Sequence, residues 1–537
     1  MQEQELSVTR EQFEFATKDD RVQAQPPAVK PVSYFADARK RFIKNKGALV
    51  AFFILLALLL FAVVAPMISP YDVSYDDPYL RYNAPKNPIC ERLGWNFWDG
   101  CSKKEVNETV FLRCLAVGAE TGASPVKNHR YKQRKDGADT LYQFRLDTYR
   151  QVGCVTMLVS AAEFRAIQAF QDENDVQIVY PAVQYDRALL DKYPQFSSDA
   201  NLWYEVEERK SAGSIQKTLA PKIERLDDGS PAFDENGQIA FIPNYVPHDK
   251  NNPHHALYTS KMRVEGADKQ YAYAVKKNGD QLEIRVNYYE YYRYYHRAIL
   301  QDAIDEPAFL FGSTQTGKDV FTCLGSGARL SFFIAFTVSA INLFVGAIYG
   351  AIEGYYGGKL DLFMERFSDV LSAVPFMIVI TLLKLHLGAT SQLIVLFIAF
   401  FLTGWIGMAS RTRMQFYRFK NQEYVLSART LGASDKRIMF KHIFPNAIGT
   451  LITGSVLSIP ATIFSESSLS YLGIINLQTG SMTSVGNMLA SAQNYLTTYP
   501  YMTLFPALFI CLLMLSFNLL GNGLRDAFNP SLRGTEN

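Results

Sequence analysis

Long apolar runs without charge constrain this chain most, because runs of this length are typical of membrane-spanning helices. Residues 48–68 and 330–352 contain no Asp, Glu, Lys or Arg. Each run is long enough to cross about 30 Å of hydrocarbon at about 1.5 Å per residue. Weaker runs bring the predicted number of spans to six; they cover 367–385, 393–409, 448–475 and 502–520. The third span is the weakest, since Pro375 interrupts it and Asp369 lies near its start.

Positive charge in the short loops predicts the orientation of these spans. Loops rich in Lys and Arg favour the cytoplasmic side of the membrane. Five basic residues precede the first span, namely Arg39, Lys40, Arg41, Lys44 and Lys46. Segment 411–448 carries eight more against two acidic residues, Glu423 and Asp435. We therefore expect both termini, a tail at 1–47 and a tail at 529–537, in the cytoplasm. Because the tail before the first span is predicted to be cytoplasmic, the long segment after that span is predicted to lie outside, and the even number of spans returns the C-terminus to the cytoplasm.

This outside segment, residues 69–309, is polar, patterned and of domain size, and we call it the intervening domain. Ser160 and Glu163 form a capping-box signature at the start of an amphipathic helix. Residues 142–147 alternate like a half-buried strand, and Asn278-Gly279 predicts a two-residue hairpin turn. The sequence thus predicts an inserted α+β domain.

Tyrosines and cysteines of the intervening domain leave alternatives open. Residues 288–295 are almost all tyrosine. Such a run is able to stack on a ligand, line a peptide path or lie at the membrane interface, and we favour a packed helix. Four cysteines allow two disulfides in any of three pairings, or free thiols; they are Cys90, Cys101, Cys114 and Cys154. No Cys-x-x-Cys or His-x-x-x-His spacing predicts a metal site.

A basic, helix-patterned stretch runs from Glu423 to Asn446 between the fourth and fifth spans. Gly432 divides it into two amphipathic pieces, and Ala428 lies four residues before Gly432, on the same helical face. A face of small residues allows the close approach of a partner protein. Pro445 is expected to mark the turn back toward the membrane. The alternative is an ordinary loop that its charge holds in the cytoplasm.

Residues 312–319 nearly match the phosphate-binding pattern Gly-x-x-x-x-Gly-Lys-Ser/Thr. Asp319 replaces the hydroxyl residue that binds magnesium, and a carboxylate there repels phosphate. No strand-loop-helix pattern surrounds the segment, which is also predicted to lie outside. We therefore expect no ATP site in this chain.

Segment 310–329 instead resembles an element that precedes the second span in oligopeptide and dipeptide permeases. The resemblance continues to the C-terminus through an ordered set of motifs, namely 354–361, Trp405 with Arg411 and Arg413, the basic stretch, Glu466 with 469–473, and 521–530. This set is similar to the C-type inner-membrane permease of peptide ABC importers. Leu426 and Ser427 stand where that family usually has Glu and Ala.

The resemblance implies an all-α polytopic membrane protein of the bacterial plasma membrane, with six transmembrane helices in the type I ABC importer permease fold. It implies a first helix at 48–68, a pre-helix motif at 310–329 and a permease core at 330–528 with a coupling loop at 411–447. The implied partners are a homologous permease, two cytosolic ATPases, an extracytoplasmic substrate-binding protein and membrane lipid, without nucleic acid. ATP and magnesium would be used by the ATPases, and no cofactor by this chain.

Two sets of candidate site residues follow. The resemblance implies ATPase coupling through Glu423, Ser427, Ala428, Gly432, Ala433, Ile443 and Pro445. An ionisable residue in a span is costly unless it is paired, hydrated or facing a cavity, so Glu466 is a candidate for the translocation path, together with Pro375. The alternative for Glu466 is a solvated residue at the outer end of the fifth span.

No catalytic constellation is present, so the sequence predicts a non-catalytic subunit. The function implied is one half of the translocation path of an ATP-driven importer of oligopeptides or dipeptides. The alternative is a membrane-anchored receptor or sensor whose outside domain binds a ligand.

Overall fold

The computed structural model describes residues 34–528 except 137–138, 181–203, 212–213, 222, 229, 234–273, 277–280, 303, 389–390 and 479–481. A short helix α1 (Tyr34–Lys44) leads into α2 (Lys46–Ile68), which contains the predicted first span. Asn45 caps α2, because its side-chain oxygen accepts a hydrogen bond from the Ala48 N–H at 3.1 Å.

The intervening domain is α+β, as predicted. Its elements are α3 (Pro88–Arg92), β1 (Cys101–Asn107), α4 (Glu108–Thr121), β2 (Val126–Asp136), β3 (Asp139–Asp147), β4 (Cys154–Ser160), α5 (Ala161–Asn174), β5 (Val179–Tyr180), β6 (Tyr204–Ser211), β7 (Ser214–Pro221), β8 (Ala274–Lys276), β9 (Gln281–Asn287) and α6 (Tyr288–Tyr294). The strand orders are β1-β3-β2, β4-β9-β5 with β8 also on β9, and β6-β7.

The first two sheets belong to two copies of one folding unit. Each unit runs strand, helix, strand, and returns through a strand that pairs antiparallel between the first two. Between the start of the first strand and the start of the second strand of each unit, equivalent residues of the two copies are 53 positions apart in the sequence. Cys101 of the first copy therefore corresponds to Cys154 of the second. The two helices each have 14 residues and end before a left-handed residue, Gly122 or Asp175.

Local geometry confirms the repeat. Asn107 accepts a hydrogen bond from the amide three residues later at 3.1 Å, and Ser160 does the same with the Glu163 N–H, which confirms the predicted helix start at Ser160. The register agrees as well, since Cys101 lies opposite Asp147 and Cys154 opposite Asn287. Both copies are therefore split β-α-β units with a helix packed on one sheet face.

Other predictions for this domain have mixed outcomes. Strand β3 confirms the alternating pattern at 142–147. Strands β8 and β9 pair antiparallel with Lys276 opposite Leu282, but Asn278 and Gly279 lie outside the described residues. The tyrosine run forms α6 and packs inward, as we favoured, with Tyr288, Tyr289, Tyr292 and Tyr294 buried. Cys90, Cys101 and Cys114 are free thiols.

The permease core is helical throughout. Its helices are α7 (Val320–Tyr356), α8 (Gly358–Ser372), α9 (Phe376–His386), α10 (Gln392–Gly404), α11 (Ile406–Phe419), α12 (Glu423–Thr430), α13 (Asp435–Arg437), α14 (Phe444–Tyr471), α15 (Val485–Ala492) and α16 (Tyr501–Ala527). In the described part of the chain, five helical runs can cross a membrane, and α8 with α9 makes a sixth if that bent pair is one span.

Several span boundaries differ from the prediction, beginning with the second span, whose helix starts at Val320 rather than at the predicted position 330. The third span is two helices bent by 72°, because Pro375 lacks an N–H and disfavours a helical residue before it. The fourth continues through α11 to Phe419, so Arg411 and Arg413 lie on a helix rather than in a loop. The fifth begins at Asp435, well before the predicted position 448.

The two ends of the intervening domain meet at the core. The Lys86 N–H donates to the Phe309 carbonyl at 2.8 Å, and the Asn83 N–H donates to the Ser313 hydroxyl at 2.8 Å. In the loop that resembles a phosphate site, Gly317 has φ +82°, and an added Cβ would lie 1.8 Å from the Asp77 carbonyl oxygen. The space against this loop is thus filled by the protein's own main chain.

Candidate functional site

Helix α12 is held firmly against the ends of the longer helices. Val425 is fully buried in an apolar cluster with Tyr355 of α7, Phe416 of α11 and the residues Ile438 and Ile443 that precede α14. The Tyr355 hydroxyl donates to Asp435 at 2.6 Å, and the Lys420 ammonium donates to the Gly354 carbonyl at 3.0 Å. These contacts join α12 and the turn after it to the core.

Gly432 forms the turn between α12 and α13, as the sequence predicts. Its φ of +79° is in the left-handed region, which favours glycine. The Gly432 N–H donates to the Arg429 carbonyl and the Ala433 N–H to the Ala428 carbonyl, both at 3.0 Å. Apart from its chain neighbours, no atom of the described residues lies within 4 Å of a Cβ added at Gly432, so this side of the turn is open in the described part of the chain.

The predicted coupling residues divide by exposure. Glu423, Ser427, Gly432 and Pro445 are exposed, Ala428 and Ala433 are half-buried, and Ile443 is buried. The first five residues of the predicted set lie on α12 and on the turn that follows it, and we call the exposed surface of this segment the coupling surface. Ile443 instead packs beneath it.

Two exposed leucines on the coupling surface were missed. Leu431 is 88% exposed beside Gly432, and Leu426 is 47% exposed on α12. The available signal was the presence of leucines at both positions in an otherwise basic stretch.

The predicted turn at Pro445 is wrong. Helical structure continues from Asp435 through Pro445 to Tyr471, and the chain reverses at Gly432 instead. Residues Ile438–Ile443 are π-helical, and Pro445 occupies the first turn of α14. A change of hydrogen-bond register before a proline absorbs its missing donor.

An ion cluster lies beside the coupling surface. Arg413 of α11 binds Asp361 at 2.6 and 2.9 Å and Glu365 at 2.7 and 3.0 Å, both of α8. Glu353 of α7 lies 3.5 Å from the same guanidinium. The Tyr417 hydroxyl also donates to Asp361. One arginine thus ties three helices together through paired contacts.

Glu466 is buried in α14 and is not solvated. Its carboxylate accepts hydrogen bonds from Ser331 of α7 at 3.0 Å and from Ser470 at 3.1 Å, and Ser467 lies at 3.4 Å. The serine hydroxyls offset part of the cost of burying this group. A role in the translocation path stays a prediction, as it does for Pro375 at the bend between α8 and α9.

The candidate residues do not form one site. Glu466 follows Ile443 by 23 residues of helix, a distance of about 35 Å at about 1.5 Å per residue. The coupling surface and Glu466 therefore lie near opposite ends of one helical run.

Comparison with known proteins defines the family. Residues 342–534 match the binding-protein-dependent transport system inner membrane component, and residues 33–85 match the N-terminal TM domain of oligopeptide transport permease C. The oligopeptide transport system permease protein OppC of Bacillus subtilis is 43% identical over 223 residues, which are 42% of this chain and 72% of that protein. The chain belongs to the binding-protein-dependent transport permeases.

Two other relatives, one dipeptide permease and one oligopeptide permease, agree with this family. The dipeptide permease protein DppC of Bacillus subtilis is 40% identical over 42% of this permease and 69% of its own length. The oligopeptide permease protein OppC of Haemophilus influenzae is 37% identical over 42% of this permease and 70% of its own length. A chain of an inward-facing methionine transporter, MetNI, covers 38% of this permease and 94% of its own length at 13% identity and a TM-score of 0.31. The permease is a multi-pass membrane protein, and the two family matches leave residues 86–341 between them.

Proposed function

We propose that this permease forms half of the translocation path of an ATP-driven importer of oligopeptides or dipeptides. Relatives with oligopeptide and dipeptide transport in their names support the substrate class. The observation that carries the coupling part is the coupling surface, where Leu431 and Gly432 are exposed on a turn that buried Val425 anchors. Cytosolic ATPases dock there, and ATP and magnesium belong to them.

The contacts around the coupling surface supply a route for motion. A displacement of α12 is transmitted to α7 through the hydrogen bond between Tyr355 and Asp435. It is transmitted to α14 through the continuous helical run that begins at Asp435. The Arg413 cluster keeps α7, α8 and α11 together as that push arrives. Rigid-body movement of packed helices is an established means of alternating access.

Replacing Gly432 with tryptophan tests this coupling. Gly432→Trp fills the open side of the turn and strains a left-handed residue, so peptide uptake and transport-stimulated ATP hydrolysis should be lost while membrane insertion remains. Gly122→Trp is the matched control, since Gly122 also has positive φ and open space around it, but lies in the intervening domain. Normal uptake by a stably inserted Gly432→Trp protein would refute the proposal.

The proposed partners are a homologous permease, two cytosolic ATPases and an external substrate-binding protein. Affinity purification of the tagged chain from membranes, followed by mass spectrometry, should recover the second permease and the ATPases. Reproducible isolation of the chain alone would favour the receptor alternative.

A further inference from the structure

Residues 87–98, which we call the apolar loop, present an unusual surface on the intervening domain. The loop is closed at its base, because the Asn87 N–H donates to the Trp98 carbonyl at 2.8 Å and Lys86 forms a β-bridge with Asp99. Four large apolar side chains are each more than half exposed on it, namely Ile89, Leu93, Trp95 and Phe97. A cluster of this kind on a folded surface marks an interaction site.

The exposure of these side chains is built into the fold. Arg145 of β3 donates to the Asn96 carbonyl at 3.0 Å and to both oxygens of Asp99 at 2.7 and 2.8 Å. Lys127 binds the same buried carboxylate at 3.0 Å. The main-chain N–H of Trp95 donates to the Cys90 carbonyl at 3.0 Å. The apolar loop is therefore fixed from several sides while its apolar side chains point outward.

The apolar loop lies beside the membrane spans. The Trp98 ring stacks at 6.4 Å from both Phe311 and Phe505. Phe505 is in the second turn of α16, about 6 Å from the helix start at about 1.5 Å per residue. On the same helix Leu504 and Leu508 are exposed, as lipid-facing residues of a span are.

We propose that the apolar loop inserts into the headgroup region of the adjoining leaflet and anchors the intervening domain to the bilayer. Tryptophan and phenylalanine are suited to this depth, because their rings are apolar and the indole N–H reaches polar headgroups. The argument for lipid over a protein partner is continuity. Trp98 joins the patch to the outer turns of α16, so one apolar surface runs from the span onto the domain. The proposal does not depend on the transported substrate.

Fluorescence of Trp95 tests the anchor. The full chain is reconstituted in nanodiscs with ordinary lipid or with lipid brominated near the headgroup end of its acyl chains. Wild type is compared with Trp95→Phe, which keeps an aromatic ring at an exposed position. The emission difference between the two proteins isolates Trp95 from the other tryptophans. We expect this difference to lose most of its intensity in brominated lipid and to resist quenching by aqueous iodide.

Two further variants in the Trp95→Phe background calibrate the result. Leu508→Trp places the probe on the exposed face of α16, and brominated lipid should quench it. Leu226→Trp places it at an exposed position of the intervening domain outside the apolar loop, and iodide should quench it instead.

Two results would overturn the proposal. Quenching of Trp95 by iodide without quenching by lipid would show that the apolar loop lies in water. Resistance to both quenchers would show that protein, either a partner or a second copy, covers it.

Discussion

At the scale of single residues, Arg413 is the cation of an ion cluster that joins three helices of the permease core. Its guanidinium faces three carboxylates, of which Glu353 and Asp361 are largely buried. Removal of a cation from such a site leaves uncompensated charges that cannot reach water. Removing one partner of a buried ion pair lowers the free energy of unfolding by about 3–5 kcal/mol.

Arg413→Leu should therefore lower the thermal stability of the purified protein strongly, and Arg413→Lys should restore only part of it, because lysine cannot make paired contacts with two carboxylates. Arg366→Leu is the matched control, since Arg366 binds Asp369 at 3.3 Å on an exposed face. Loss of an exposed pair costs about 1 kcal/mol or less. Equal melting temperatures for Arg413→Leu and Arg366→Leu would contradict this assignment.

The sequence identified these residues but not their partnership. Asp361 and Arg413 both lie in motifs of the permease resemblance, yet 52 residues separate them, and they meet because α8 and α11 both pack against α7. Glu466 was recognisable because a charge in an apolar run is costly. Its serine partner Ser331 was not, since Ser331 lies on another helix.

At the scale of elements, the intervening domain contains a duplication that sequence inspection missed. Few positions keep the same residue in both units; Cys101 and Cys154, Phe111 and Phe164, and Arg145 and Arg285 are examples. What the copies share is the length of the first strand and of the helix, the helix caps and the strand order, which become visible only when the strands are paired. Residues 181–280 also separate the last strand of the second copy from the rest of its unit, which hides the repeat from a reader of the sequence.

The duplication predicts matching effects of matching mutations. Phe111 and Phe164 are buried at equivalent positions of α4 and α5, in separate apolar clusters. Each change to alanine should destabilise its own unit by about 3–5 kcal/mol. Hydrogen exchange of the full chain should then rise in β1–β3 for Phe111→Ala and in β4 and β9 for Phe164→Ala. Val110→Ala, at an exposed neighbour, is the control. Loss of protection in both units from either change would show that the copies unfold together.

The base of the apolar loop should respond to acid through Asp99. Burial disfavours the charged form of this carboxyl, but Lys127 and Arg145 outweigh the burial and lower its pKa below the usual 3.8. Because the folded-state pKa is the lower one, the stabilisation is present above about pH 4 and is lost as the pH falls through the folded-state pKa.

Asp99→Asn should therefore increase hydrogen exchange in residues 87–98 at neutral pH, after correction for intrinsic rates. The difference from wild type should shrink as the pH falls below 3.8, where wild type also loses the charge. Asp228→Asn is the control, because Asp228 is exposed and accepts hydrogen bonds from nearby Ser230. A difference that persists unchanged in acid would exclude the ion pairs as its cause.

At the scale of the whole molecule, apolar runs predicted the membrane plan well because burial in lipid depends on composition. They failed on helix ends, since α11 and the run from Asp435 continue as helices into charged sequence. They also failed at Pro375, where the backbone bends although the apolar run does not stop. The coupling surface was predictable in position, whereas its exposed leucine Leu431 depended on the three-dimensional turn at Gly432.

The whole-molecule plan also shows that residues near the two ends of the intervening domain lie next to each other. Lys86 and Phe309 are joined by a main-chain hydrogen bond of 2.8 Å, so removal of residues 87–308 leaves two ends that a short Gly-Ser linker can join. Tyr71 and Leu80 would lose their contacts with Tyr149 and Tyr292, which is the main structural cost.

The domain adjoins the first turns of α16, and we propose that it docks the substrate-binding protein or roofs the entrance of the path. We therefore expect this deletion to impair import more than assembly. Membrane insertion and recovery of the partner subunits should be retained, while peptide uptake by the reconstituted complex should fall. The two measurements separate the outcomes. Loss of partner recovery would assign the domain a role in assembly, and an unchanged transport rate with full assembly would remove any role for it in import.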